Sequence, residues 1–168
     1  MAQGYVKAAD LPQVIPVFPL PGAILLPRGQ LPLNIFEPRY LNMIDDAMAG
    51  DRIIGMLQPQ AGSSHLPGLS PVGCAGRITS FAETSDGRYL ITLTGCARFR
   101  LASELPAQTP YRQIRADFAP FELDLTAPPA GEGALDRDIL LDALKAYLEA
   151  RGLDIDWETA ESAPPEAL

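Results

Sequence analysis

The sequence is short of the residues that carry most enzymatic chemistry. It has one histidine, His65, two lysines, Lys7 and Lys145, and two cysteines, Cys74 and Cys96. A catalytic nucleophile needs a base beside it. His65 falls in the Gly/Ser/Pro-rich stretch from Pro59 to Pro71, which reads as a loop, so it reads as a solvated side chain rather than a held base. Lys7 lies in the N-terminal lead-in and Lys145 on the polar face of a helix, where burial cannot lower the pKa of an amine for a Ser–Lys dyad. No Gly-x-x-x-x-Gly-Lys-Ser/Thr loop occurs, which removes the usual signature of an ATPase. The two cysteines have no metal-type spacing, and Asp136 and Asp138 diverge on a helix. The expectation is a chain with no catalytic residues, no metal and no cofactor.

Positive charge is also scarce. Thirteen Lys and Arg stand against 21 Asp and Glu, for a net charge of −8. A polyanion binder needs a basic face, so nucleic acid is not an expected partner, and an anionic membrane surface is disfavoured for the same reason. Arg77, Arg88, Arg98, Arg100, Arg112 and Arg115 are spread over strand-like segments and read as solvated or paired side chains. No apolar run reaches the roughly 18–20 residues of a spanning helix, and the first ten residues hold no apolar signal-peptide region. A cytoplasmic location and free thiols are therefore expected.

What is present is enough apolar residue, 47% of the chain, for one domain with a real core. Gln13 to Leu20 is β-branched and aromatic but interrupted by Pro16 and Pro19, which predicts an edge or bent strand. Pro21-Gly22 and Pro27-Arg28-Gly29 predict turns around the short apolar piece Ala23 to Leu26, and Leu31 to Phe36 predicts another strand. Pro38 then opens a helix with Tyr40, Leu41, Ile44, Ala47 and Met48 on one face and Gly50 at its end. Ile53 to Leu57 predicts a short buried strand. Val72 to Glu83 and Arg88 to Leu101 predict a hairpin about Asp86-Gly87, and Tyr111 to Phe118 a further strand. Leu135 to Arg151 carries a helical stripe closed by Gly152. Ser162 to Leu168 reads as the start of another helix in a chain that continues. The strand density favours a closed or half-closed β-barrel-like sheet. The run Leu20, Leu25, Leu26, Leu31, Leu33 and Phe36, broken by prolines, is mostly core with some side chains left as an exposed patch.

Ile15-Pro-Val-Phe-Pro-Leu20, Leu26-Pro27 and Leu31-Pro-Leu-Asn-Ile-Phe-Glu-Pro-Arg-Tyr40 closely resemble the opening of the Lon substrate-binding domain. Val72-Gly-Cys-Ala-Gly-Arg-Ile78 and Leu93-Thr-Gly-Cys-Ala-Arg-Phe99 look like glycine-containing strands of the same family. The resemblance runs from about Val14 to Phe118. It implies a mainly β fold with α: a PUA-like β-barrel containing one helix, followed by an α-helical C-terminal part. The boundaries it suggests are a flexible lead-in over 1–12, the β domain over 13–122, a linker over 123–134 and the start of a helical subdomain over 135–168. It further implies a non-catalytic module that binds unfolded or degron-bearing polypeptide, with protease or chaperone components as partners. At the matched motif Phe18 and Phe36 are expected to anchor the core, Pro38 to start the helix ahead of Tyr40, and Glu37 and Arg39 to pair with each other or with neighbouring groups. The apolar edge at Leu25, Leu26, Leu31 and Leu33 is the expected contact surface. An RNA-binding PUA-like domain and a scaffold domain with one specific partner are the alternatives.

Overall fold

Val14–Pro19 (β1) is extended because Ile15, Val17 and Phe18 are buried on both its faces; despite Pro16 and Pro19 it is paired along both sides, parallel to Ile53–Leu57 and antiparallel to Arg112–Asp117, so it is not the edge strand that its prolines suggested. The computed structural model describes residues 4–60, 67–126 and 136–162. These fall into two compact units, Met1–Thr126 and Ala127–Leu168. The first unit continues with Gln30–Ile35 (β2), Pro38–Ala49 (α1), Ile53–Leu57 (β3), Val72–Glu83 (β4), Tyr89–Glu104 (β5) and Arg112–Asp117 (β6). In the second, Arg137–Arg151 (α2) is capped by the Asp136 carboxylate and closed by left-handed Gly152, and Trp157–Ser162 (α3) follows. The expected helix start beyond Ser162 lies outside the described residues, as does His65.

The six strands run in the order β2-β5-β4-β3-β1-β6, and β5 pairs with β6 as well. Five strands therefore close a ring, with β2 as an outlying edge. The sixteen-residue β5 makes this possible. Its first half pairs antiparallel with β2 (Tyr89↔Ile35 to Thr94↔Gln30), and its second half with β6 (Arg100↔Asp117 to Glu104↔Ile114). Between the halves the β4–β5 register shifts, from Ala75↔Ala97 to Gly76↔Gly95, so Cys96 is an extra residue in β5. Such a bulge bends a strand and raises its twist. It also puts three small buried residues in a row, Gly95, Cys96 and Ala97, where strict alternation would allow two.

Two apolar clusters fill the unit. One lies under α1, whose Tyr40, Met43, Ile44 and Ala47 are buried against Phe18, Ile35, Ile54 and Leu93. The other lies inside the ring around Ile15, Val17, Phe99 and Ile114. Gly55 and Gly73 leave space for the Phe99 ring, since a Cβ on Gly73 would stand 2.6 Å from it.

Four expectations are corrected here. The lead-in is tied down over its described part: Leu11 is buried in the ring's core, the Ala8 N–H donates to Glu122 Oε1 at 2.9 Å, and Arg77 donates to the Tyr5 hydroxyl at 3.0 Å. An apolar residue that fills a barrel end orders the chain before it, which local composition does not reveal. The stretch assigned to the linker from residue 123 begins inside the first unit, because Ala119–Leu125 forms a 3-10 helix that buries Leu125. Gly50 ends α1 without a left-handed turn (φ −114°). The left-handed residue is Arg52 at φ 61°, whose N–H donates to the Ala47 carbonyl at 2.9 Å. Phe36 does not anchor the core: it is 61% exposed, because Ile35 takes the inward position at the end of β2 and its neighbour must turn out.

Candidate binding surface

The segment between β1 and β2 is a strap fastened at both ends. At its start the Leu20 N–H donates to the Leu57 carbonyl, and the Gln58 side chain spans the turn: it accepts from the Gly22 N–H at 3.0 Å and donates to the Leu20 and Ala23 carbonyls at 3.2 and 2.6 Å. At its end the Arg28 N–H donates to the Gly95 carbonyl at 2.8 Å, and the Gly95 N–H to the Gly29 carbonyl at 2.9 Å. Gly95 has no side chain because a Cβ there would overlap the Leu26 carbonyl. Arg28 sits at φ 68° to complete the turn.

An extended segment cannot bury three consecutive side chains on one side. Leu25 points inward at 6% exposure, against Gly76, while Ile24 and Leu26 face out at 72% and 56%. Beside them a shallow, mostly apolar hollow is lined by Leu26, Met56, Leu57, Val72, Gly73 and Arg98. Val72 is also exposed. Large aliphatic groups held in water on a fastened backbone are an unspent source of association energy, about 1.5–3 kcal/mol for each side chain fully buried.

Of the four leucines expected to form the contact edge, only Leu26 stands open. Leu25 belongs to the core, and that part of the expectation is corrected. Leu31 and Leu33 lie on the inward face of β2, half-buried against the α1 cluster. Ile24 and Val72 were missed. The signal for Ile24 was the unbroken apolar run Ala23 to Leu26, which alternation must divide between two sides. Pro38 is the first residue of α1, and Glu37 pairs with Arg39 at 2.9 Å. Phe18 is buried and its ring centroid lies 4.1 Å from that of Tyr40.

The arginines are largely engaged. Arg98 grips the Asp124 carboxylate with both side-chain arms (2.9 and 2.8 Å) and its backbone N–H, and its guanidinium lies 4.7 Å from the Phe121 ring centroid. This side-chain pairing holds the Asp124 carboxyl below the usual range. Arg112 pairs with Glu104, and Arg88 with Asp86. Burial first, and then Cys96 beside it, pushes the Cys74 thiol far above the ordinary range, and burial raises Cys96 too. Neither is a thiolate near neutral pH, so neither is a ready nucleophile. Among the described residues no cluster of three or more His, Cys, Asp or Glu could hold a metal, and no helix is long and apolar enough to cross a membrane.

The family model described as the ATP-dependent protease La (LON) substrate-binding domain matches residues 14–153. Lon protease 2 of Myxococcus xanthus is 32% identical over 117 residues, 68% of this chain and 14% of that protein. The Lon protease of Desulfosudis oleivorans is 33% identical over 94 residues, 54% of this chain and 12% of that protein. This chain thus spans a small fraction of the length of these relatives. Among solved structures, a Lon N-terminal domain protein from Xanthomonas campestris superposes with a TM-score of 0.56 at 23% identity, over 82% of this chain and 73% of that one. At that identity the likeness speaks to the fold: mainly β with some α.

Proposed function

Because the chain belongs to the Lon substrate-binding domain family, we propose that it is a non-catalytic module that captures unfolded or extended polypeptide on the strap, with Ile24 and Leu26 as the central contacts. The carrying observation is that these two side chains stand in water on a backbone fastened at both ends. A fastened backbone loses little further freedom on binding, so more of the apolar burial is left as affinity. Val72 and the hollow beside Leu26 complete the contact, while Leu25, Leu31 and Leu33 support it from within. Degron-bearing chains, and protease or chaperone components in the cytoplasm, are the partners this reading implies. The matched family model is that of a substrate-binding domain, so any hydrolysis of a captured chain belongs to other domains or partners.

The test is retention of an unfolded reporter chain on the immobilised protein, with the folded reporter and an RNA as controls. Wild type is expected to retain only the unfolded reporter, with little dependence on salt. Ile24→Asp with Leu26→Asp should weaken retention by roughly tenfold or more while thermal stability hardly changes, since both side chains are exposed. Undiminished retention by the double variant removes the strap as the contact. RNA retention that fades with salt favours the RNA-binding alternative.

A further inference from the structure

A second hollow opens where the start of α1 faces the connection between β5 and β6, a cleft of about 160 Å³. Pro19, Leu105, Pro106, Ala107 and Pro110 give it apolar walls, and Tyr40 forms part of its lining. The Tyr40 ring is held between Phe18, 4.1 Å away, and the Arg39 guanidinium, 4.6 Å away. Tyr40 is 7% exposed, yet its hydroxyl has no hydrogen-bond partner among the described residues, and no unpartnered side-chain N or O atom is sealed from solvent. The hydroxyl is therefore the part of a buried side chain that meets the cleft. Of the other polar side chains there, the Gln113 amide has no hydrogen-bond partner among the described residues, and the rest are committed. Tyr111 donates to Asp46 Oδ2 at 2.7 Å, Thr109 donates to the Tyr111 carbonyl, Arg112 is bound to Glu104 and the Pro67 carbonyl, and Arg39 to Glu37.

Charge thus balances around the cleft: two guanidiniums each hold a carboxylate of this chain. An incoming anion would have to break one of these pairs, and an incoming cation would meet the guanidiniums. What remains unmatched among the described residues is the Tyr40 hydroxyl and the Gln113 amide, between proline and aliphatic walls. Ligand sites of this kind are mostly apolar with one or a few polar groups that set orientation. We propose that this cleft is a second subsite for the polypeptide ligand, which takes an uncharged apolar residue between the proline walls while the Tyr40 hydroxyl donates to a backbone carbonyl of the bound chain. This rests on the reading of the chain as a polypeptide-binding module, but on a surface separate from Ile24 and Leu26.

The test is titration of the intact protein with a blocked peptide, acetyl-Ala-Leu-Ala-amide, followed by backbone amide NMR. Saturable shifts are expected at Ala107, Thr109 and Gln113, equal at low and high salt. Tyr40→Phe keeps the ring and removes only the hydroxyl, and should weaken binding roughly two- to tenfold. Ala107→Trp, at an exposed position, should abolish binding by filling the cleft, and serves if Tyr40→Phe does not fold. Shifts confined to residues 23–26, equal affinity in Tyr40→Phe, or binding lost at high salt each overturn the cleft assignment. The two readings separate cleanly: the strap variant tests capture of the unfolded reporter with the cleft intact, and Ala107→Trp tests the cleft with the strap intact.

Discussion

At the scale of single residues, the strap depends on what Gly95 lacks. Any side chain there must displace the Leu26 carbonyl, which is backbone and cannot swing aside. Gly95→Ala is expected to cost about 1–3 kcal/mol, and to shift the amide resonances of Leu26 to Gly29 in the protein that still folds. Arg52 makes the opposite case. It is exposed and held at φ 61°, a conformation that costs a non-glycine residue of the order of 1 kcal/mol. Arg52→Gly should leave stability unchanged or raise it by up to about 1 kcal/mol in urea denaturation. Neither site was legible in the sequence. Gly95 sits in a strand where glycine ordinarily signals weakness, and Arg52 follows a glycine that looked like the natural helix cap. Both roles come from a partner distant in sequence, or from a turn that closes two residues later than the pattern suggests. The Glu37–Arg39 pair and the start of α1 at Pro38 were legible, because each depends only on neighbours along the chain.

Among the elements, α1, the β4–β5 hairpin and the capped α2 follow from local pattern: an apolar stripe, a turn signal, a glycine stop. The 3-10 helix Ala119–Leu125 does not. Its end, from residue 123, reads as a linker, and it is held by partners distant in sequence: Glu122 accepts from the Ala8 N–H, Leu125 is buried in the ring's core, and Asp124 forms an ion pair with Arg98 of β5. That contact gives a pH dependence of definite sign. The Arg98 side chain lowers the Asp124 pKa in the folded state, so its contribution is fully present above the unfolded value near 3.9 and is lost as pH falls through the lower folded value. Because Arg98 is half exposed, solvent screens the pair and the effect is modest. The urea midpoint of Asp124→Asn should lie below that of wild type by a constant margin from pH 7 to about pH 5, and the margin should shrink below about pH 4. A margin that stays constant into acid would mean that the carboxylate charge contributes nothing to holding the turn.

At the scale of the whole molecule, the mainly β character was legible from strand density, and the barrel followed from the family resemblance. Ring closure was not legible in detail, since it depends on β5 serving two partners about an extra residue, Cys96. Both cysteines face the interior, and burial keeps them protonated. A thiol reagent at neutral pH should therefore label neither one in the native protein over minutes and both in guanidinium chloride, and slow native labelling should track global opening. Labelling of Cys96 alone would mean that the bulge opens locally. The ring also has a direction in time. β1 pairs with β6 through Val14↔Arg115 to Val17↔Arg112, and β5 closes on the same strand. A nascent chain that has left the ribosome only as far as Glu104 thus carries two unpaired strand borders at once, on β1 and on the far half of β5. The last of the described strands to be synthesised is the one that seals both, so the barrel assembles late, and a protein cut short before Arg112 would offer other chains the edges that the finished barrel hides.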